Sequence, residues 1–243
     1  MILWKAEMEG SRAKLDKYGQ KELIGHVAGP VVIAALFFLF AGRTNIYRAW
    51  IWAVVNFIYY VCGLMVLLRV NPRLLNERGS WNKKRDTKKW DKVLLRVFGT
   101  VGLYFHTILM ALDVGRFEWS QLSPWFILPG MLLFTGGFNL TYWAMAVNPH
   151  FETTVRIQHE REHCVVTAGP YRIVRHPGYT GLILTNIGST MIVGSMYGFI
   201  TASATLLIVG LRTWLEDRTL AAELEGYRDY TTKVRYRLFP LIW

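Results

Sequence analysis

Residues 177–211 run for 35 positions without an Asp, Glu, Lys or Arg. As one straight helix that stretch would extend roughly 52 Å, through a hydrocarbon core of about 30 Å, so a chain that carries it must turn back on itself. Gly194-Ser195-Met196-Tyr197-Gly198 near its middle is a tight-turn sequence, and a split there gives a helical hairpin with short legs. Earlier runs point to the same surroundings. Residues 23–41, 49–68 and 125–147 hold no charge, and 93–112 holds only Arg96, near an end from which its long side chain reaches the interface. Each meets the roughly 20-residue length of a membrane-spanning helix. The expected fold is therefore all-α and polytopic, with about six spans. A tail of 1–22 leads into a first hairpin over 23–70. A core over 71–243 then contains spans 93–112 and 125–147, a hairpin over 179–213 and a cytosolic segment 214–243. The tail lacks an apolar h-region, so no signal peptide is expected.

Composition agrees with a bilayer: 52% of the residues are hydrophobic and 14% aromatic, with a mean hydropathy of +0.22, more than a soluble surface usually carries. That content excludes disorder, and two cysteines, Cys62 and Cys164, exclude a disulfide scaffold. The net charge of +11 is a topology signal rather than a nucleic-acid footprint. With six spans, 23 Lys and Arg fall on one side and three, Arg43, Arg48 and Arg116, on the other. Both termini and the long polar loops are then cytoplasmic. Tryptophans at 50, 52, 119, 125, 143 and 214 fall near span ends, as interfacial anchors do.

Three groups of residues carry possible chemistry. His159-Glu160-Arg161-Glu162-His163 has the H-E-x-x-H spacing of a zinc site, which needs an α-helix to bring both imidazoles to one face. The charged residues between them favour a solvated loop, and no metal is expected. Arg175-His176-Pro177-Gly178-Tyr179-Thr180-Gly181, preceded by Gly169-Pro170-Tyr171, is a rigid loop that opens a helix, a place where backbone N–H groups can meet an anion; an interfacial loop meeting lipid phosphate is the plainer alternative. Arg212, Glu216 and Asp217 leave the second leg of the hairpin on the same side, Arg212 and Glu216 four apart on one face, where they can simply pair with each other.

These residues resemble the isoprenylcysteine carboxyl methyltransferase and phospholipid methyltransferase superfamily: R-H-P-x-Y-x-G at 175–181, an apolar hairpin, then two acidic residues at 216 and 217. Asn71-Pro72-Arg73, Asn148-Pro149-His150-Phe151, Val155-Arg156-Ile157-Gln158, Tyr227, Tyr230 and Arg237-Leu238-Phe239-Pro240 also resemble it, so the likeness covers about residues 70–243. Asp217 departs from it, since the family commonly has a second glutamate there. The resemblance implies an S-adenosylmethionine-dependent integral membrane methyltransferase with a cytosolic donor pocket and a lipophilic or lipid acceptor entering from the membrane. An isoprenylcysteine carboxylate, a lipid headgroup and a small thiol are all compatible, and no obligate protein partner is expected. It implies a donor site of Gln158, His163, Val165, Gly169, Tyr171, Arg175, His176, Pro177, Tyr179, Gly181 and Glu216, with Arg175 or backbone N–H groups holding the donor carboxylate and Glu216 its ammonium. Catalytic roles fall to Arg212, which would orient the acceptor, and to Glu216 or Asp217 as base. A sterol-reductase-like enzyme using NADPH, a zinc protease and a non-enzymatic scaffold are the competing readings.

Overall fold

The computed structural model describes residues 14–243. The expected spans appear as helices: α1 (Lys17–Ala41), α2 (Tyr47–Val70), α4 (Lys89–Arg116), α5 (Ile127–Val147), α6 (Pro177–Val193) and α7 (Gly198–Glu223). Two short helices on polar segments complete the set, α3 (Pro72–Gly79) and α8 (Tyr227–Lys233). No strand occurs among the described residues. Asp16 starts α1 by accepting the N–H groups of Tyr18 and Gly19 through its side chain, at 2.8 and 2.9 Å, which satisfies donors that the first helical turn leaves unpaired. At its other end Gly42 takes a left-handed conformation, φ 68°, and reverses the chain.

Four of these helices, α1, α2, α4 and α7, are long and apolar enough to cross a membrane. At 17 residues α6 is short for a span. It lies inside the bundle with 11 of its residues buried, so it faces protein more than lipid, and small residues there allow close backbone approach. Its partner is α5. A methyl group on Gly137 would come within 2.5 Å of the Gly181 carbonyl oxygen, and one on Gly188 within 2.6 Å of the Phe134 nitrogen.

The hairpin turn falls where length and glycine placed it, between Val193 and Gly198, with Gly194 at φ 91°. It is pinned by a buried polar cluster. Asp113 accepts the hydroxyls of Ser195 at 2.5 Å and Ser120 at 2.6 Å. Arg48 donates to the carbonyls of Met191, Ile192 and Leu122, so this charge, read as a loop positive, closes the C-terminal end of α6 instead. Trp52 likewise is not an interfacial anchor: it is buried and donates to Ser189, whereas Trp125 is 88% exposed. The second leg runs ten residues beyond the expected end at 213, to Glu223. Arg212, Glu216 and Asp217 therefore share one continuous helix. Beyond α8, the terminal segment folds back on the start of α6, where Arg175 and His176 donate their backbone N–H groups to the carbonyls of Tyr236 and Arg237 at 2.9 Å.

Candidate active site

A cavity of about 250 Å³ opens at the end of the bundle where the 148–176 loop, the start of α6, the last turns of α7 and α8 converge. Two side chains of α7, Arg212 and Glu216, line it and a third, Asp217, lies behind its wall; each has a partner distant in sequence.

Asp217 is buried and turns away from the cavity into the protein. It accepts both Nε and Nη2 of Arg175, at 2.8 and 2.9 Å, together with Arg237 Nε and the Tyr227 hydroxyl, each at 2.9 Å; His176 Nε2 lies 3.3 Å away. The remaining Arg175 nitrogen, Nη1, donates to the carbonyls of Val234 and Arg235. Every donor nitrogen of Arg175 is thus spent inside the protein, as are its backbone N–H and that of His176. Arg175, expected to hold a donor carboxylate, is engaged within the protein in this structure, and both oxygens of Asp217 are occupied by protein donors.

Glu216, one residue earlier, does line the cavity. Its Oε2 accepts the Tyr179 hydroxyl at 2.5 Å, while Oε1 has no hydrogen-bond partner among the described residues. Tyr179 stacks on His176, ring centroids 5.7 Å apart and planes 6° from parallel. Arg212 sits over the Tyr179 ring at 5.3 Å, donates Nε to Asp91 Oδ1 at 2.7 Å and donates Nη2 to the Thr153 carbonyl at 2.7 Å. Arg212 and Glu216 form no ion pair, so the i,i+4 surface bridge is absent: each finds a partner from another element.

The polar loop supplies the opposite wall. Gln158 is buried; its Nε2 donates to the His150 carbonyl at 2.8 Å, its Oε1 accepts Arg161 Nη1 at 2.7 Å, and its backbone N–H points at His163 Nδ1. The His150 and His163 rings lie 4.5 Å apart. Burial, then the Arg161 charge, lowers His150 to about 4; burial, then His150 itself, lowers His163 to about 3. Both imidazoles are neutral at physiological pH. Tyr171 also lines the cavity, its phenol pushed above the ordinary range by burial.

Of the residues singled out from the sequence, the fold brings Gln158, His163, Val165, Tyr171, Arg175, His176, Tyr179, Arg212 and Glu216 to this cavity. Gly169, Pro177 and Gly181 are not in its wall. Gly169, at φ 56°, starts a 3₁₀ turn packed on Trp143; Pro177 is the first residue of α6, where a missing N–H costs nothing; Gly181 is part of the α5–α6 contact. The H-E-x-x-H stretch forms a single 3₁₀ turn over His159–Arg161, broken by Glu162 in a left-handed conformation. Its two histidines therefore do not share a helical face. Glu160 is also engaged, by Arg156, whose hydrogen bonds hold it at about 2. The zinc reading loses its scaffold. Sequence reasoning did not single out Asp91, which nothing local distinguishes, and it named His150 only within the family-like Asn148-Pro149-His150-Phe151 element.

Residues 128–222 match the model of the isoprenylcysteine carboxyl methyltransferase (ICMT) family, a stretch that contains every candidate residue from Gln158 to Asp217. Two proteins of rice, one from Oryza sativa subsp. indica and one from subsp. japonica, each described as a probable protein-S-isoprenylcysteine O-methyltransferase, are 41% identical over 39 residues. That match covers 16% of this chain and about a fifth of the length of those relatives. The solved structure of the eukaryotic intramembrane Ras methyltransferase ICMT, without a monobody, aligns with a TM-score of 0.50 at 16% identity, over 94% of this chain and 99% of that one. This is a likeness of fold. The superfamily read from residues 175–181 and 216–217 is the one these comparisons return.

Proposed function

We propose that this chain is an integral-membrane methyltransferase of the isoprenylcysteine carboxyl methyltransferase family. In this reading its cavity takes S-adenosylmethionine from the cytosolic side and a lipophilic acceptor bearing a carboxylate, an S-isoprenylcysteine in the first instance. The observation that carries this reading is the pairing of Arg212 and Glu216 within one helical turn: a positioned guanidinium and a carboxylate with one unpartnered oxygen, both on the cavity wall.

The donor set suits the methyl donor. Glu216 Oε1 is placed for its ammonium, a charge-assisted contact, and the apolar and aromatic wall near Tyr171, Leu224 and Tyr230 suits an adenine. Bound there, S-adenosylmethionine supplies an electrophilic methyl group on a cationic sulfonium. The protein's own contribution is orientation and exclusion of water. Neutral His150 and His163 add no positive charge to a cavity that would hold a cationic donor. Arg212, its Nη1 without a partner among the described residues, is suited to hold an acceptor oxygen.

The acceptor class is read from the free nitrogen of Arg212, which suits an anionic oxygen. An ammonium or a thiol must lose a proton before methylation, and the site is poor in strong bases: both oxygens of Asp217 and Asp91 are engaged, the open oxygen of Glu216 is assigned to the donor ammonium, and burial keeps His150 and His163 weakly basic. A carboxylate needs no base. Its apolar tail has Leu95, Phe98 and Leu182 to lie against. The excess of Lys and Arg on the loops at this end supports a cytoplasmic orientation.

The test uses the purified full chain in lipid nanodiscs with methyl-labelled S-adenosylmethionine and N-acetyl-S-farnesylcysteine. Saturable donor binding and base-labile label on the acceptor are expected. Binding of NADPH in place of the methyl donor would overturn the reading in favour of a reductase.

A further inference from the structure

Asp91 lies in the first turn of α4, fully buried at 0% exposure, and it is 121 positions from Arg212 in sequence. Its two oxygens do different things. Oδ1 accepts Arg212 Nε at 2.7 Å; Oδ2 accepts the backbone N–H of Val155 at 2.8 Å. The Val155 carbonyl in turn accepts the Lys88 N–H at 3.1 Å, and the Thr153 carbonyl accepts Arg212 Nη2. The guanidinium is therefore held along one edge by two acceptors belonging to a single ring of contacts that joins α4, the 153–155 strip and α7. Its third nitrogen remains for a ligand.

We infer that Asp91 is a positioning residue for methyl transfer: it fixes the plane of the Arg212 guanidinium so that Nη1 addresses the acceptor oxygen. The inference rests on the reading that Arg212 orients the acceptor. An unpaired Arg has several rotatable bonds and samples many orientations, whereas in-line displacement demands the nucleophile about 3 to 3.5 Å from the methyl carbon. A carboxylate that grips Nε from behind removes that freedom without touching the substrate. It also neutralises part of the Arg212 charge, so the acceptor is oriented without being trapped. Tyr179 touches both Arg212 and the donor-facing Glu216, whereas Asp91 bonds to Arg212 and Val155 and not to Glu216, so a change at Asp91 leaves the Glu216 contact in place.

The experiment compares Asp91→Asn, Arg212→Lys and the double variant in nanodiscs, measuring the dissociation constant of S-adenosylmethionine, kcat and acceptor KM with N-acetyl-S-farnesylcysteine. Asp91→Asn should lower kcat at least tenfold with donor affinity within twofold of the parent, and the double variant should be no slower than Arg212→Lys alone. Should Asp91→Asn fail to fold, Asp91→Glu retains the carboxylate but displaces it by one methylene, and a several-fold loss of kcat at unchanged donor affinity is expected. Multiplicative losses in the double variant, or donor affinity falling in step with kcat, would make Asp91 merely structural and overturn the inference. Near-parental turnover in Arg212→Lys would instead overturn the role of Arg212 itself, a separate failure.

Discussion

Replacement of Asp217 by Asn separates a structural hub from a chemical group. Asp217 holds Arg175 through two hydrogen bonds of 2.8 and 2.9 Å, with side-chain exposures of 5% for Arg175 and 8% for Asp217. Asn keeps the shape but turns one acceptor into a donor aimed at guanidinium N–H groups. Leaving a buried charge without its partner costs about 3–5 kcal/mol, and since Asn retains one acceptor and Arg175 keeps two carbonyl contacts, the lower end, about 3 kcal/mol, applies. Arg237, at 28% side-chain exposure, adds little because solvent screens it. For a chain of this size about 2–4 °C of unfolding temperature accompanies each kcal/mol, so the variant should unfold about 6–12 °C lower. The first region to loosen should be 234–243, which docks through Arg175 and Arg237. Thermal unfolding in nanodiscs and hydrogen exchange over that segment read both effects. An unfolding temperature within about 1 °C of the parent, with donor binding intact and turnover lost, would refute the hub and return Asp217 to chemistry.

Acidification should weaken the fold through the His150–His163 pair. Both are held neutral at about 4 and about 3, below the ordinary 6.5, so the unfolded chain takes up protons first and stability present above pH 6.5 is lost as pH falls toward 4; His163→Asn should flatten the fall in unfolding temperature between pH 7 and 4.5. Single cysteines placed at Met196, 57% exposed at the hairpin turn, and at Thr231 should label from opposite sides of sealed vesicles, and labelling from one side would break the hairpin reading. Gly137→Leu should abolish folded yield in detergent, since its Cβ meets the Gly181 carbonyl at 2.5 Å, whereas Gly136→Ala next to it, with open space around its Cβ, should express like the parent.

What the sequence made legible follows from which forces are local. Apolar run length against bilayer thickness located four helices, and the same comparison applied to 177–211 forced a turn at the glycine-bounded pentapeptide near its middle and so two more. The family-like loop residues also reached one cavity, because R-H-P-x-Y opens a helix and fixes where its side chains emerge. Side-chain pairing was not legible, and the physical reason is the medium. In water, Arg212 and Glu216 at i and i+4 would be each other's nearest opposite charge, worth a few tenths of a kcal/mol. At the buried end of a bundle, where solvation no longer competes, a charge goes to whichever partner completes its hydrogen bonds, and that partner is set by the tertiary fold. Arg212 goes to Asp91, Glu216 to Tyr179, Arg175 to Asp217 and Arg48 to the carbonyls of α6. Four charges assigned from local spacing or loop position thus have long-range partners. Two of them, Arg175 and Arg48, turn out to hold the frame, and the other two, Arg212 and Glu216, keep an unpartnered polar atom on residues that line the cavity. That division selects the groups available to a ligand: a residue whose donors and acceptors are all matched inside the protein shapes the site, and one left with an unmatched atom beside a cavity can meet what binds there.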